Sequence, residues 1–277
     1  MNKYIVSLCF AFLALTGCSR LDIAFKWADT YIASKVDDYF DISSQQSKDL
    51  KKDIQKDLAA IRAEVLPTWI DRLKEIQKEV DAGPLNEQRV GFYFSLFMKD
   101  IETINARFSN TAVDFIATTN SSQLSFFDKA FKSKNSEDMD KARNLSKLQK
   151  EYRNKYNDYF EMFLGYLTKE QKAMIEDSVN TSPFPLELKI RNKEFVYNKF
   201  LKEKGSAETM KAFVKDYYTH PAQYDMPEFQ TAFLSYQKNL QTLVVKVLAS
   251  MNEEQKKNLR SSLNEKTAQL EMLAKRG

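Results

Sequence analysis

The sequence predicts an all-α protein, an irregular bundle of about ten helices of which several are long. Three observations lead to this fold class. Only 6 Gly and 6 Pro occur in 277 residues, so few positions break a helix. Apolar residues return every three or four positions, and strand-like alternation is absent. Several apolar stretches also follow sequences typical of helix starts.

Five helix starts share one pattern. Their capping residues are Ser43, Asn86, Asn120, Thr168 and Asn252, and in four copies Gln follows three residues later. In such a capping box the cap oxygen accepts the N–H of the third helical residue, while the Gln accepts the cap's own N–H. Positions seven and eleven after every cap are apolar, so each helix should enter a core with the same face. The spacing is too uneven for a regular solenoid, which leaves chance reuse and internal duplication both open.

Capping residues and helix-breaking residues set the limits of the predicted helices along the chain. A first helix is expected over residues 22–39. A second begins at Ser44 and meets Pro67, whose missing N–H predicts a kink or break, before it stops at the Ala-Gly-Pro run 82–84. The strongest loop is the Thr-Ser-Pro-Phe-Pro run at 181–185. The other helices are predicted over residues 87–116, 121–132, 136–164, 168–179, 186–202, 207–218, 228–250 and 253–275.

The amino terminus has the pattern of a secretory signal. Lys3 precedes an apolar run over residues 4–15, shorter than the about 20 residues that a spanning helix needs. The following Leu15-Thr16-Gly17-Cys18 resembles the bacterial lipobox. The resemblance implies cleavage between Gly17 and Cys18, with a diacylglycerol and an N-acyl chain on Cys18 as a stable anchor. Residues 1–17 would be removed, and residues 18–277 would form a single helical periplasmic domain with a candidate sub-boundary at 181–185.

Ser19 follows the lipidated position. In lipoproteins of Gram-negative bacteria the lack of Asp there implies transfer to the outer membrane, so we expect an outer-membrane lipoprotein that faces the periplasm rather than one of the inner membrane or cell surface. No Gly/Ser linker separates Cys18 from the first helix, so the body should lie close to the bilayer. The residues expected near the headgroups are Leu21, Phe25, Trp27, Arg20 and Lys26.

Residue counts argue against several kinds of site. His220 is the only histidine, Cys9 leaves with the signal, and Cys18 carries the lipid. We therefore expect no metal site, disulfide or Cys-His pair, no cofactor besides the acyl chains, and no enzyme activity. The 42 basic and 38 acidic residues are interspersed, which argues against a nucleic-acid partner.

Asp57 and Asp100 each interrupt the apolar face of a predicted helix. Because an unpaired buried charge is costly, each should have a polar partner, and Arg62 and Arg107 are the nearest basic candidates along the chain. These four residues are the predicted buried polar network. A ligand-contacting or catalytic role for the two carboxylates is the alternative. Aromatic clusters at residues 92–94, 126–127 and 152–166 would either pack in the core or line a groove.

Some segments resemble known families. The positions Gly17-Cys18-Ser19, Trp27, the run 36–41 leading into Ser43-x-x-Gln46, Arg62 and Leu66-Pro67 resemble an uncharacterised family of proteobacterial lipoproteins. This resemblance implies an all-helical periplasmic lipoprotein and supplies no activity. The motif Leu167-Thr168-x-x-Gln171 is similar to the L-T-x-x-Q motif of Spy/CpxP-type periplasmic chaperones.

These observations favour a membrane-anchored, non-enzymatic lipoprotein that binds or scaffolds an envelope or periplasmic protein. A chaperone-like protein and a carboxylate-dependent envelope hydrolase are the alternatives.

Overall fold

The computed structural model describes the backbone of residues 18–275 and the side chains of residues 25–275, so the predicted signal peptide lies outside the described residues. Within that range the regular structure is helical throughout, which confirms the all-α prediction. It comprises eleven α-helices and one 3-10 helix: α1 (Cys18–Phe40), α2 (Ser44–Ala82), α3 (Glu87–Arg107), α4 (Ser109–Ala117), α5 (Ser121–Arg143), α6 (Leu145–Leu164), α7 (Lys169–Thr181), α8 (Leu186–Glu203), α9 (Ala207–Thr219), the 3-10 helix (Pro221–Tyr224), α10 (Pro227–Ala249) and α11 (Glu253–Lys275).

Pro67 lies inside α2 and does not end it. The helix runs for 39 residues without interruption. Leu66 and Ile70, on either side of the proline, are buried against Leu270 and Leu273 of α11. Packing on both sides of the proline outweighs the one backbone hydrogen bond that its ring removes.

Two predicted boundaries differ from those observed. The predicted helix 87–116 divides at Phe108, whose ring is buried in the core and whose N–H bonds to Asn105 O at 3.1 Å. The predicted helix 121–132 extends to Arg143 instead, and Asn144 then caps α6 by accepting the N–H of Lys147 at 3.1 Å. Both breaks occur inside a continuous apolar repeat, so periodicity alone could not locate them.

The apolar side chains form two main clusters that α2 connects. The first cluster lies among α1, the first half of α2, α4, α5, α9 and the end of α8. The second lies among α6, α7, α10 and α11, with the later part of α2 packed against it. At 1.5 Å per residue α2 is about 58 Å long, enough to take part in both. Residues 182–185 of the predicted loop join α7 to α8, and a domain boundary at 181–185 stays a prediction.

The four capping-box glutamines form two reciprocal pairs, which we call glutamine clasps. The first clasp, Gln46 with Gln123, joins the starts of α2 and α5. The second clasp, Gln171 with Gln255, joins the starts of α7 and α11. Each amide oxygen accepts the N–H of its own cap and a hydrogen from the partner amide. In the second clasp the two amide-to-amide distances are 3.1 and 2.8 Å.

Each clasp glutamine also donates to the residue two positions before its partner's cap. In the first clasp the acceptors are Thr118 and the carbonyl of Asp41. In the second they are the Ser250 hydroxyl and the carbonyl of Tyr166. All donors and acceptors of these amides are therefore used within the chain. The helix-start motif joins pairs of helix starts that are distant in sequence.

Candidate functional site

Cys18, the residue predicted to carry the lipid, is the first residue of α1. Gly17, on the other side of the predicted cleavage, lies outside the described residues. Among the described helices none has an apolar stretch long enough to cross a bilayer. Cleavage and lipidation stay predictions.

Asp100 of α3 is bound by two groups of α2. It accepts a hydrogen bond from the Trp69 indole nitrogen at 2.8 Å and forms an ion pair with Arg72. The side chains of Arg72 and Asp100 are 13 % and 14 % exposed, so both charges are largely removed from water. A buried charge needs such compensation, and this pair supplies it between two helices.

Asp57 of α2 faces α4. The hydroxyl of Thr111 donates a hydrogen bond of 2.6 Å to its carboxylate. Burial raises the pKa of Asp57, and the nearby charge of Asp53 acts in the same direction. The Thr111 hydroxyl, Arg107 and Lys56 oppose this increase without cancelling it. The fold therefore tolerates the charged form of Asp57 at a cost.

This cost predicts that Asp57→Asn stabilises the protein. A carboxyl whose pKa is higher in the folded than in the unfolded chain destabilises the fold above its unfolded pKa, ordinarily 3.8, and the effect disappears as pH falls below that value. We expect the free energy of unfolding to rise by up to about 1 kcal/mol at pH 7 and to match the parent at pH 3. Urea denaturation of the parent and the variant at both pH values measures the difference in the free energy of unfolding. Destabilisation at pH 7 would show that the carboxylate has a partner that the fold needs.

The contacts seen for the two arginines predicted as partners are with other residues, although the charge of Arg107 reaches Asp57. Arg107 pairs with Glu64 of α2, and the Arg62 guanidinium lies 5.5 Å from the centre of the Phe25 ring. The antiparallel pairing of α2 and α3 explains the difference. Residues equally distant from the turn at 83–86 face each other, so the pairs are Glu79 with Arg89, Arg72 with Asp100, and Glu64 with Arg107.

The two candidate carboxylates do not form an acid/base pair. Asp57 lies on α2, 15 residues before Arg72, the partner of Asp100, a separation of about 22 Å along the helix. Paired catalytic carboxylates lie about 5–10 Å apart. Over the described residues no group of three His, Cys, Asp or Glu is arranged to hold a metal ion. His220 is exposed at the end of α9, where its Nδ1 lies 2.8 Å from an oxygen of Asp216.

The aromatic clusters divide between core and surface. Phe127 stacks on Phe40 at 4.6 Å between ring centres. Tyr152 stacks on Phe184 at 5.5 Å, beside a crevice whose cavity volume of about 10 Å³ has room for about one water molecule. Ligand pockets are usually larger than this, at about 300–1,000 Å³. By contrast, Phe92 and Phe126 are exposed.

Several large apolar side chains are exposed on the bundle, among them Leu234 at 65 %. Two surfaces combine side chains that share one side of a helix. The first, which we call the α1 face, consists of Trp27 and Tyr31, 57 % and 45 % exposed. The second, the α3 face, consists of Phe92, which is 42 % exposed, and the half-buried Leu96. Members of each pair are four residues apart and share one side of their helix. Trp27 and Phe92 were singled out from the sequence, as a headgroup residue and as part of an aromatic cluster. Tyr31 and Leu96 were not, because exposure depends on which helices pack together.

Comparison with known proteins assigns a family. No curated protein and no solved structure matches the chain. Residues 38–209 match the profile of a family described as "Family of unknown function (DUF6279)", and this match spans more than half of the 277 residues. The chain therefore belongs to the DUF6279 family.

Proposed function

We propose that this protein is a lipoprotein anchored through acylated Cys18 to the outer membrane, facing the periplasm, and that it binds a folded envelope protein through the α3 face. The observation that carries this proposal is the exposed Phe92 ring, beside the half-buried Leu96, on a helix that packs in the bundle through its other side, which carries Val90, Tyr93, Ile101 and Ile104.

The surroundings of Phe92 have the composition of a protein interface. The Arg89 guanidinium lies 4.8 Å from the centre of the Phe92 ring and 5.0 Å from that of Tyr93. Arg89 also pairs with Glu75 and Glu79, which fixes its position. Aromatic residues and arginine are enriched at protein interfaces, where a central apolar contact is surrounded by polar groups. Membrane attachment would hold this surface at a constant distance from other envelope proteins.

A chaperone-like role is the second candidate, because an exposed apolar surface can also hold unfolded chains. The two roles predict different crosslinking results. A folded partner gives one crosslinked species, whereas a chaperone gives many.

Photocrosslinking in intact cells tests the proposal. A benzophenone amino acid is placed at Phe92 or Leu96 of the full chain, with Leu145, an exposed leucine at the start of α6, as the control position. We expect one discrete envelope protein from the first two positions and none from the third. The purified partner should then bind the parent and lose at least about tenfold in affinity for Phe92→Ser/Leu96→Ser.

Other outcomes have definite meanings. Equal crosslinking from all three positions contradicts the α3 face as the binding surface. A heterogeneous set of products, with aggregation suppression that the double variant loses, favours the chaperone. Mass spectrometry of the mature amino terminus tests the anchor separately, since it should show an acylated Cys18 that Cys18→Ser abolishes.

A further inference from the structure

The first helix leads directly from the predicted lipid attachment to an exposed aromatic surface. α1 is continuous from Cys18 to Phe40, so no flexible segment intervenes. Trp27 lies nine residues after Cys18, a rise of about 14 Å along the helix. If α1 lies along the bilayer surface, this rise is a lateral distance from the anchor, and Trp27 stays at the level of the headgroups.

The two sides of α1 differ in chemistry. Ala28, Ala33, Val36 and Phe40 point into the first core cluster. Phe25, expected from the sequence to lie near the headgroups together with Trp27, instead packs against the core. The outward side begins with Trp27 and Tyr31 and continues with polar Ser34 and Asp38. Among the described side chains of α1, the exposed aromatic residues are therefore Trp27 and Tyr31, while Tyr39 and Phe40 near its end are buried.

Charge on this part of α1 suits a membrane surface. Lys26 is exposed next to Trp27. Asp29 is the only acidic residue between residues 25 and 36, and it is turned inward, where it accepts a hydrogen bond from Gln55 at 2.7 Å. Between residues 25 and 36, the outward side therefore carries no carboxylate. Trp and Tyr rings favour the headgroup region, and Lys is attracted to lipid phosphates.

We propose that the α1 face, Trp27 and Tyr31 with Lys26 beside them, lies in the headgroup region of the membrane that holds the anchor. This inference rests on the proposed acylation of Cys18. The contact gives the protein a fixed orientation in which α1 lies along the bilayer surface. Without it, the folded domain would reorient freely about the lipid anchor. The partner of this surface is phospholipid, as distinct from the protein partner proposed for the α3 face.

Depth-dependent quenching tests the orientation. The acylated full chain is reconstituted in vesicles of phosphatidylethanolamine and phosphatidylglycerol, with a fluorophore at Ser34→Cys, one turn beyond Tyr31 on the same side of α1. Leu145→Cys is the control. Because the mature chain has no other free thiol, labelling is specific. A headgroup-attached nitroxide should quench the Ser34 label about twofold or more above the Leu145 label.

A second variant separates the surface from the anchor. Trp27→Ser/Tyr31→Ser changes exposed side chains, so it should fold, float with the vesicles and lose the excess quenching at position 34. Equal quenching at 34 and 145 in floating parent protein would overturn the proposal while leaving the anchor intact. If the parent protein does not float with the vesicles, the proposed acyl anchor is wrong. The proposed orientation, which depends on the anchor, is then wrong as well.

Discussion

Replacement of Gln171 by alanine is expected to lower the free energy of unfolding by about 3–5 kcal/mol. The side chains of Gln171 and Gln255 are both 0 % exposed. The substitution leaves one donor and one acceptor of the buried Gln255 amide without partners, and it also removes the acceptor of the part-buried Thr168 N–H. It also removes buried volume between α7 and α11. Urea denaturation followed by circular dichroism measures the loss.

The first clasp provides a matched control. Gln46 makes the same set of bonds but is only half-buried, so water can replace the lost partners. Gln46→Ala should therefore cost about 1–2 kcal/mol. In the second clasp, Gln171→Ala/Gln255→Ala should cost at least about 1 kcal/mol less than the sum of the two single variants. Strict additivity would show that the two amides do not depend on each other.

The sequence was sufficient to identify the four glutamines that form the clasps, but not to show which of them pair with each other. The capping boxes at Ser43, Asn120, Thr168 and Asn252 follow from residues three apart, and the structure has all four. The amide-to-amide bonds join residues 77 and 84 positions apart. Local propensity carries no information on contacts at that separation. Two clasps with the same pattern of acceptors favour duplication of a clasped helix pair over chance reuse of capping boxes.

The buried charges show a different limit. Asp100 was recognisable as a polar residue on an apolar face, but proximity along one helix suggested Arg107 as its partner. The partner that the structure provides, Arg72, follows from folding α2 back on α3 about the turn at 83–86. That turn was visible as Gly-Pro in the sequence. Antiparallel pairing about it could have identified Arg72, whereas the contact of Asp57 with Thr111 of α4 needed the tertiary structure.

Removal of the Asp100 carboxylate is expected to be as destabilising as loss of the second clasp. Asp100→Ala leaves Arg72 largely buried without a counter-charge and the Trp69 indole N–H without its acceptor. Loss of one partner from a buried ion pair costs about 3–5 kcal/mol, since the remaining charge is not compensated. Thermal unfolding of purified protein measures it.

The exposed pair Arg107–Glu64, at the other end of the same helix interface, is the control for this substitution. Its side chains are 42 % and 47 % exposed, so Arg107→Ala should cost no more than about 1 kcal/mol. Replacement of both buried charges in Arg72→Met/Asp100→Leu should recover most of the stability lost in Asp100→Ala, because no uncompensated charge remains. An unchanged melting temperature for Asp100→Ala, together with loss of partner binding, would contradict the structural role and make Asp100 a ligand contact. Recovery of stability by the double substitution, with binding through Phe92 retained, would establish that the charge pair holds α2 against α3 and that recognition through Phe92 does not depend on it.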